Sequence, residues 1–470
     1  MNLKLQAIQI DPANPFANDL LNRQGEIENL SILIRNVNSP AVIAIDSRWG
    51  TGKTTFIKMW EQQLKHEGFD PLYFNAWATD FSEDPLVSFL GEMNDGLEAL
   101  IGKSDESRQA WSKAKAVGKQ IAKRSVPALI KIATAGVIDA EKIIEDELSK
   151  AMESLAGDAL DDYLKAKNAI TAFHEALTQL IDISSKDKPV VIFVDELDRC
   201  RPTYAISLLE RIKHLFNIEG LVFVLALDKK QLGHSISAVY GDGIDSDGYL
   251  RRFIDFEYQL KYPERKNYIN SLFSALSLDE YFEVRKKYQE LQYDRGYLEN
   301  VFTMLAECQN LSLREIEQLL ASINLALRTA KENEYIHPAL LVFLVVTKNT
   351  HPEQYQNFVS ETGSEKETIE YLYRIVPRKK RLGDFEFECA LVEGFLIAAK
   401  YSRHQQEVSD DLERHKAIIA SEESSREEKS YSEIVINVAT RPVGMGRGVA
   451  LNTLVERIDL ISQFKFSEEG

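Results

Sequence analysis

The stretch AVIAIDSRWGTGKTTFIKMW, residues 41–60, decides the fold of this 470-residue chain. It opens with a continuous apolar, β-branched run at 41–45, passes into a polar loop with glycines, and ends in a segment of helical composition. A continuous apolar run is typical of a strand that is buried on both faces of a parallel sheet. The stretch therefore predicts a buried strand, a tight loop and a helix.

Further apolar runs extend this pattern along the chain. They are LYF at 72–74, VVIFV at 190–194 and LVFVLAL at 221–227, with FIDFEYQL at 253–260 as a fifth candidate strand. Helical patterns separate the runs, which is the arrangement of a three-layer α/β domain with a parallel sheet. Between positions 84 and 188, about a hundred residues rich in alanine, leucine, lysine and glutamate favour helices instead. The sequence predicts an α/β fold with a helical insertion and an all-α region after residue 263.

The composition argues against several classes of protein. With 56 basic and 73 acidic residues, the net charge of −17 repels phosphate backbones and does not indicate nucleic-acid binding, although a local basic groove is not excluded. Cys200, Cys308 and Cys389 are far apart, so we expect reduced thiols rather than a disulfide framework or a zinc module. Neither a signal peptide nor an apolar run of membrane-spanning length is found. We expect a cytoplasmic protein without a membrane span.

The loop SRWGTGKT at 47–54 has the composition of a phosphate-binding loop. Glycines let backbone N–H groups approach phosphate closely, and the start of the next helix adds the positive end of its dipole. Lys53 supplies a cation for the β- and γ-phosphates, and the hydroxyl of Thr54 can ligate Mg²⁺. The predicted nucleotide-binding residues are Ser47, Trp49, Gly50, Thr51, Gly52, Lys53, Thr54 and Thr55.

One position departs from the pattern G-x-x-x-x-G-K-[ST]. Ser47 stands where the pattern has its first glycine, whereas Gly50 and Gly52 remain. Position 47 lies at the strand end, where we expect less backbone strain than at Gly52, so that serine is tolerated. Since GKT tripeptides also occur in ordinary glycine turns, the prediction depends on the preceding strand and on a second motif.

That second motif is VVIFVDEL, in which Asp195 and Glu196 directly follow a buried strand. A carboxylate at a strand tip can hold Mg²⁺, and a neighbouring glutamate can orient and polarise an attacking water. We predict Asp195 as a metal ligand together with Thr54, and Glu196 as the catalytic base. Asp228 follows the next strand and either contacts the γ-phosphate or attacking water or caps the following helix. The sequence leaves both interpretations of Asp228 open.

Phosphoryl transfer also needs positive charge near the developing negative charge. The arginine candidates are Arg199, Arg201, Arg251, Arg252 and Arg314. A surface or ion-pair role is the ordinary alternative for each of them.

Together these motifs resemble the KAP family of P-loop NTPases, which is related to the STAND and AAA+ ATPases. The matching segments are SRWGTGKTTF, YFNAWATDFSEDPL, VVIFVDELDRCRP, LVFVLALDKKQL and YLRRFIDFEYQL, with SLREIEQLL at 312–320 as a weaker match. The resemblance covers about residues 15–330. It implies ATP and Mg²⁺ as ligands, and no guanine-reading NKxD motif occurs in a fitting place. Many members carry membrane spans in the insertion, which this sequence does not indicate.

By position, the resemblance assigns Lys53 and Thr54 to the phosphates and Mg²⁺. It implies a sensor position for Asp228, a basic position after the fourth strand for Arg252, and a second sensor arginine for Arg314. We therefore predict Asp228, Arg252 and Arg314 as catalytic residues beside Glu196.

The predicted domains are an NTPase core at 1–84 and 188–263, a helical insertion at 85–187, a helical lid-like subdomain at 264–335, and a C-terminal helical interaction domain at 336–470. Within the insertion, the apolar segment 125–140 fits either a buried helix or an interfacial amphipathic one. Residues 331–470 contain no nuclease or protease pattern, and their scattered histidines are expected to be satisfied or exposed. These histidines are His337, His351, His404 and His415.

The resemblance implies an ATP-driven switch or motor subunit in a prokaryotic antiphage defence complex. Hydrolysis would be slow or stimulated by partner subunits, and the chain would form nucleotide-dependent homo-oligomers. The alternative is a nucleotide-binding scaffold with negligible turnover, which Ser47 allows and the intact pair of Asp195 and Glu196 argues against.

Overall fold

The computed structural model describes residues 9–37, 39–101, 104–123, 158–184, 188–262, 264–360, 365–401, 410–444 and 449–461. The chain divides into two compact units, one of residues 8–262 and one that begins at residue 263. We call them the α/β unit and the helical unit.

The α/β unit is built on a five-stranded parallel sheet with the order β2-β3-β4-β1-β5. The strands are β1 (Ala41–Asp46), β2 (Leu72–Asn75), β3 (Val190–Asp195), β4 (Leu221–Leu227) and β5 (Phe256–Gln259). The predicted α/β fold with a parallel sheet is confirmed. β3 and β4 are buried along their whole length because strands flank them on both sides, whereas the edge strand β5 is largely exposed. Only four residues of the predicted strand 253–260 are extended, since residues 251–253 form a turn.

Helices cover both faces of this sheet. One face carries α1 (Gln24–Arg35) and α2 (Lys53–His66), and there the Trp60 ring packs edge-on against Phe193 at 5.3 Å between centroids. On the other face, helices pack around an apolar cluster that includes Phe89 and Phe216, whose ring centroids lie 4.9 Å apart. Its helices are α3 (Pro85–Ile101), α4 (Asp105–Lys123), α5 (Asp158–Ser184), α6 (Pro202–Leu215), α7 (Lys229–Tyr240) and α8 (Ser246–Leu250). Successive residues of the central strands point alternately into these two clusters, which makes a three-layer architecture.

The described part of the predicted insertion is helical. Its helices α4 and α5 pack against each other, and the Trp111 indole donates to Asn94 at 3.0 Å. The apolar segment 125–140 lies outside the described residues. No helix in the described ranges has the length and apolarity needed to cross a membrane.

The helical unit contains α-helices in each of its described ranges. They are α9 (Arg265–Ala275), α10 (Leu278–Arg285), α11 (Asp294–Cys308), α12 (Leu313–Arg328), α13 (Pro338–Thr350), α14 (Pro352–Val359), α15 (Glu365–Ile375), α16 (Arg378–Arg381), α17 (Glu386–Tyr401), α18 (Asp410–Ala420), α19 (Arg426–Gly444) and α20 (Leu451–Ile461). The apolar helix α13 is buried over ten consecutive residues, from Pro338 to Thr347. The predicted all-α region is therefore confirmed.

The described histidines of this unit contact neighbouring side chains. His415 is buried, and its two ring nitrogens lie 2.9 Å from Ser432 Oγ and 2.9 Å from Glu393 Oε1. The His351 ring lies 2.8 Å from the Tyr371 hydroxyl, and the partly buried His337 has a pKa lowered by burial to about 4. His404 lies outside the described residues.

Candidate functional site

The carboxyl ends of the parallel strands bring the predicted site residues together. Ser47 follows β1, Asp228 follows β4, and Asp195 ends β3, with β4 lying between the other two strands. Ligands of open α/β folds bind at this edge, near the point where the strand order reverses. One cavity is lined by residues of both motifs, namely Trp49, Gly50, Thr51, Gly52, Lys53, Thr54, Asp195, Glu196, Asp198 and Arg199.

The loop between β1 and α2 depends on two glycines. Gly50 has φ 72° and Gly52 has φ 86°, in the left-handed region where a Cβ atom would add strain. Ser47 does not have a positive φ, and its N–H donates to the Leu227 carbonyl of β4 at 3.2 Å. Ser47 therefore continues the hydrogen bonding between β1 and β4. Serine causes no backbone strain at this position, where the motif has glycine.

Lys53 is the first residue of α2, and its ammonium lies inside the loop. It donates to the carbonyls of Ser47 and Arg48, at 2.5 and 3.1 Å. Burial lowers the pKa of Lys53, and the carboxylates of Asp198 and Asp228 are the main influences that oppose this shift. Lys53 thus places a positive charge beside the first turn of α2, where unpaired N–H groups also favour an anion.

Asp195 is 1% exposed and lines the cavity together with Thr54. Its carboxylate accepts hydrogen bonds from the Tyr73 hydroxyl at 3.0 Å and from the Glu196 N–H at 2.9 Å. Burial raises the pKa of Asp195, and the hydroxyl groups of Thr54 and Tyr73 oppose this shift. The two predicted metal ligands are therefore adjacent, and a hydroxyl with a carboxylate is a donor set that fits Mg²⁺.

Glu196 follows Asp195 in a left-handed conformation with φ 60° and ψ 25°. This conformation is costly for a residue with a Cβ atom and clusters at functional sites. Glu196 Oε1 pairs with Arg199 Nη1 at 2.7 Å, and Glu196 Oε2 accepts from Asn75 Nδ2 at 3.0 Å. Asn75 had no role in the sequence interpretation. A polar residue at the end of the apolar run 72–74 was the signal that could have identified it.

Asp228 has the geometry of a helix N-cap. Its Oδ1 atom accepts from the N–H groups of Lys230 and Gln231, at 3.1 and 3.2 Å, at the start of α7. Of the two interpretations left open by the sequence, the capping contact is the one present. A contact of Asp228 with the γ-phosphate stays a prediction.

Asp198 connects the two halves of the site and was missed by the sequence interpretation. Its Oδ2 atom accepts from the Trp49 indole at 2.6 Å and from the Asp228 N–H at 2.9 Å. Burial raises the pKa of Asp198, while Lys53 and the Trp49 hydrogen bond oppose the shift. No sequence motif predicts these contacts, because Trp49, Asp198 and Asp228 belong to separate segments of the chain.

The arginine candidates differ in their surroundings. Arg199 lines the cavity, whereas Arg201 forms an ion pair with Asp80 at 2.8 Å. Arg252 is exposed in the turn before β5, with its guanidinium 5.8 Å from the centre of the Tyr249 ring, so the structure does not bring it into the cavity lining.

Thr55 is half-buried in the first turn of α2 and also lies outside that lining. Arg314 is exposed on α12, which belongs to the helical unit. The roles of both residues stay predictions.

Comparison with known proteins adds a family match. The model of the family described as "KAP family P-loop domain" matches residues 23–330, about two thirds of the chain. A search of curated proteins finds no match. Similar solved structures include the Aeropyrum pernix ORC2 protein with ADPNP and ADP, which is 14% identical at a TM-score of 0.35 over 94% of both chains. Its ADP form is 15% identical at a TM-score of 0.33, also over 94% of both chains.

A structure of a DNA replication initiation factor is 11% identical at a TM-score of 0.23, over 93% of this chain and 98% of the other. The assignment of the chain to a family depends on the family model and not on these structures.

Proposed function

Because the chain belongs to the KAP family of P-loop domains, we propose that it binds Mg-ATP and hydrolyses ATP to ADP and phosphate. The observation that carries this proposal is that Thr54 and Asp195 line one cavity together with Lys53 and Glu196. A phosphate loop alone would support binding only. A carboxylate pair beside that loop adds the groups that hydrolysis needs.

The binding part of the proposal uses the loop and the start of α2. Backbone N–H groups around Gly50 and Gly52 would surround the phosphates, and Lys53 would exchange its two carbonyl partners for phosphate oxygens. Thr54 and Asp195 would hold Mg²⁺, which when bound neutralises charge on the β- and γ-phosphate oxygens.

The hydrolytic part of the proposal uses Glu196. Its carboxylate would orient the attacking water and accept its proton as the water oxygen bonds to the γ-phosphorus. Asn75 holds Oε2 of this carboxylate, so the side chain is oriented before substrate arrives. Preorganised groups of this kind avoid the cost of reorganisation during the reaction.

At the level of the cell, we propose a cytoplasmic switch or motor subunit of a prokaryotic antiphage defence complex, with slow or partner-stimulated turnover and homo-oligomerisation. The family resemblance supports this role, and the helical region 336–470 would bind the other subunits. The second candidate is a nucleotide-binding scaffold with negligible turnover. The ion pair between Glu196 and Arg199 favours it, since one oxygen of the proposed base is already bonded to a guanidinium.

Two substitutions test the enzymatic proposal. Lys53→Ala should abolish ATP binding in calorimetry, because the buried cation of the loop is removed. Glu196→Gln should bind ATP normally and lose phosphate release, because the amide cannot accept the proton. Lys65→Ala, which removes an exposed lysine of the same helix, is the matched control.

The possible results separate the candidate functions. Tight ATP binding by the Lys53→Ala protein would contradict the site assignment. Normal turnover by the Glu196→Gln protein would contradict the catalytic role of Glu196. ATP binding without turnover in the unmodified protein, alone and with its purified partners, would favour the scaffold. The masses of complexes purified with and without ATP test the proposed assembly.

A further inference from the structure

The ion pair between Arg199 and Glu196 lies within the site but has no part in the steps above. Arg199 Nη1 and Glu196 Oε1 are 2.7 Å apart, and both side chains are mostly shielded, with 34% and 14% of their surface exposed. The left-handed turn at Glu196 leads into the one-turn helix Leu197–Arg199, which brings the residue three positions later back over the carboxylate. This local geometry holds the Arg199 guanidinium against one carboxylate oxygen of Glu196, the predicted base.

A second element holds Arg199 in this position. The guanidinium carbon lies 5.6 Å from the centre of the Trp77 ring, within the range of a cation–π contact. Trp77 begins the one-turn helix Trp77–Thr79 just after β2, and 42% of its surface is exposed. The guanidinium therefore has a carboxylate partner and an aromatic neighbour, which come from two different strand ends.

We propose that Arg199 is a positioning residue that restrains Glu196 and keeps the basal rate of ATP hydrolysis low. This inference rests on the proposed function. During hydrolysis the water oxygen bonds to the γ-phosphorus, the bond from that phosphorus to the oxygen of ADP breaks, and the water proton passes to Glu196. Arg199 holds Oε1 while Asn75 holds Oε2, so the carboxylate must give up its bond to the guanidinium before Oε1 can orient the water.

The alternative role for Arg199 is to stabilise charge on the transferred phosphoryl group. Its own charge is already balanced by Glu196, so the pair presents little net charge to the cavity. Lys53 lines the same cavity and supplies a cation that donates to two loop carbonyls rather than to a carboxylate within the described residues. The geometry thus favours a restraint on the base over a contact with phosphate.

The test compares steady-state hydrolysis by the full chain and its variants. Arg199→Gln should raise kcat about fivefold, which corresponds to about 1 kcal/mol at 1.36 kcal/mol per tenfold change. Its KM and its affinity for ATP should stay as in the unmodified protein. Arg199→Lys keeps the charge and should keep kcat near the unmodified value. Trp77→Leu should give a smaller rise, whereas Trp77→Phe retains a ring and should not.

The matched control is Arg108→Gln on α4, which removes an arginine from an ion pair with the same i, i+3 spacing to Asp105. This remote variant should leave kcat unchanged. Thermal unfolding of each variant identifies any loss of folded protein, and rates are compared per folded, ATP-binding molecule. A kcat for Arg199→Gln at or below that of the unmodified protein would overturn the inference.

Adding Glu196→Gln to Arg199→Gln separates this inference from the proposed function. The double variant should lose the gain together with the remaining turnover. If it hydrolyses ATP as fast as Arg199→Gln, Glu196 is not the base and the proposed mechanism fails. If Glu196→Gln alone is inactive while Arg199→Gln shows no gain, only the restraint by Arg199 is refuted.

Discussion

Asp228, which directly follows β4, offers a direct test of whether its side chain acts by accepting hydrogen bonds from α7 or through its negative charge. Its Oδ1 atom accepts from two backbone N–H groups at the start of α7, and the residue is 6% exposed. Asp228→Ala removes this acceptor from two part-buried hydrogen bonds. Asp228→Asn keeps an oxygen that accepts the same hydrogen bonds and removes only the charge.

The size of the effect follows from the capping contact. Replacement of an N-cap by alanine costs about 1 kcal/mol, with a range of roughly 0.5–2. Because two donors lose a buried partner here, we expect about 1.5 kcal/mol for Asp228→Ala. In a unit of this size, 1 kcal/mol shifts Tm by roughly 2–4 °C, so the unfolding of the α/β unit should move down by about 3–6 °C. Asp228→Asn should change Tm by less than about 1 °C.

The assay combines thermal unfolding, hydrogen exchange at Lys230 and Gln231, and ATP turnover for the two variants. Faster exchange at these two amides in Asp228→Ala alone would locate the loss at the cap. A Tm equal to that of the unmodified protein would refute the capping argument. Loss of turnover in Asp228→Asn at an unchanged Tm would show that the charge itself is needed, which is the sensor role.

The helical unit provides two further predictions. Arg285→Met should lower the unfolding free energy by about 3 kcal/mol in urea titration, because it leaves the Asp294 carboxyl buried without its partner 3.1 Å away. Adding Asp294→Asn should restore part of this loss, and an Arg285→Met protein of full stability would contradict the prediction. His337 has a folded-state pKa lowered by burial to about 4, so as pH falls below about 6.5 the unfolded chain binds the proton first. The free energy of unfolding should therefore decrease as the pH falls from 6.5 to 4. We expect a decrease of roughly 2 kcal/mol, which is less than the full pKa difference gives, because the ring is only partly buried. An equal decrease in the His337→Gln protein would refute this role.

Much of the fold was predictable because its signals are local. The apolar runs at β1, β3 and β4 mark strands buried on both faces, and the glycines of the loop mark backbone that needs positive φ. The weaker run at β5 was predicted too long, since an edge strand is buried less and its ends are set by the neighbouring turn. Local composition does not carry that information.

The contacts around the predicted base could not be read from the sequence. Asn75 and Glu196 are 121 positions apart, Tyr73 and Asp195 are 122 apart, and Trp49 and Asp198 are separated by 149. These residues meet because β3 lies directly beside β2 and is separated from β1 by β4 alone. Apolar patterns predict that strands exist but do not state their order, so the partners of each side chain stay hidden.

By itself, the sequence determined which chemical groups stand at the ends of the strands, because a strand, a turn and a helix start each leave a local pattern. Only the tertiary structure decided how those groups are used. It placed Asp195 and Thr54 in one cavity, engaged both oxygens of Glu196 with Arg199 and Asn75, and turned Asp228 toward the start of α7. The physical reason is that hydrogen bonds and ion pairs depend on distances of about 3 Å, and strand order sets such distances between residues far apart in the chain.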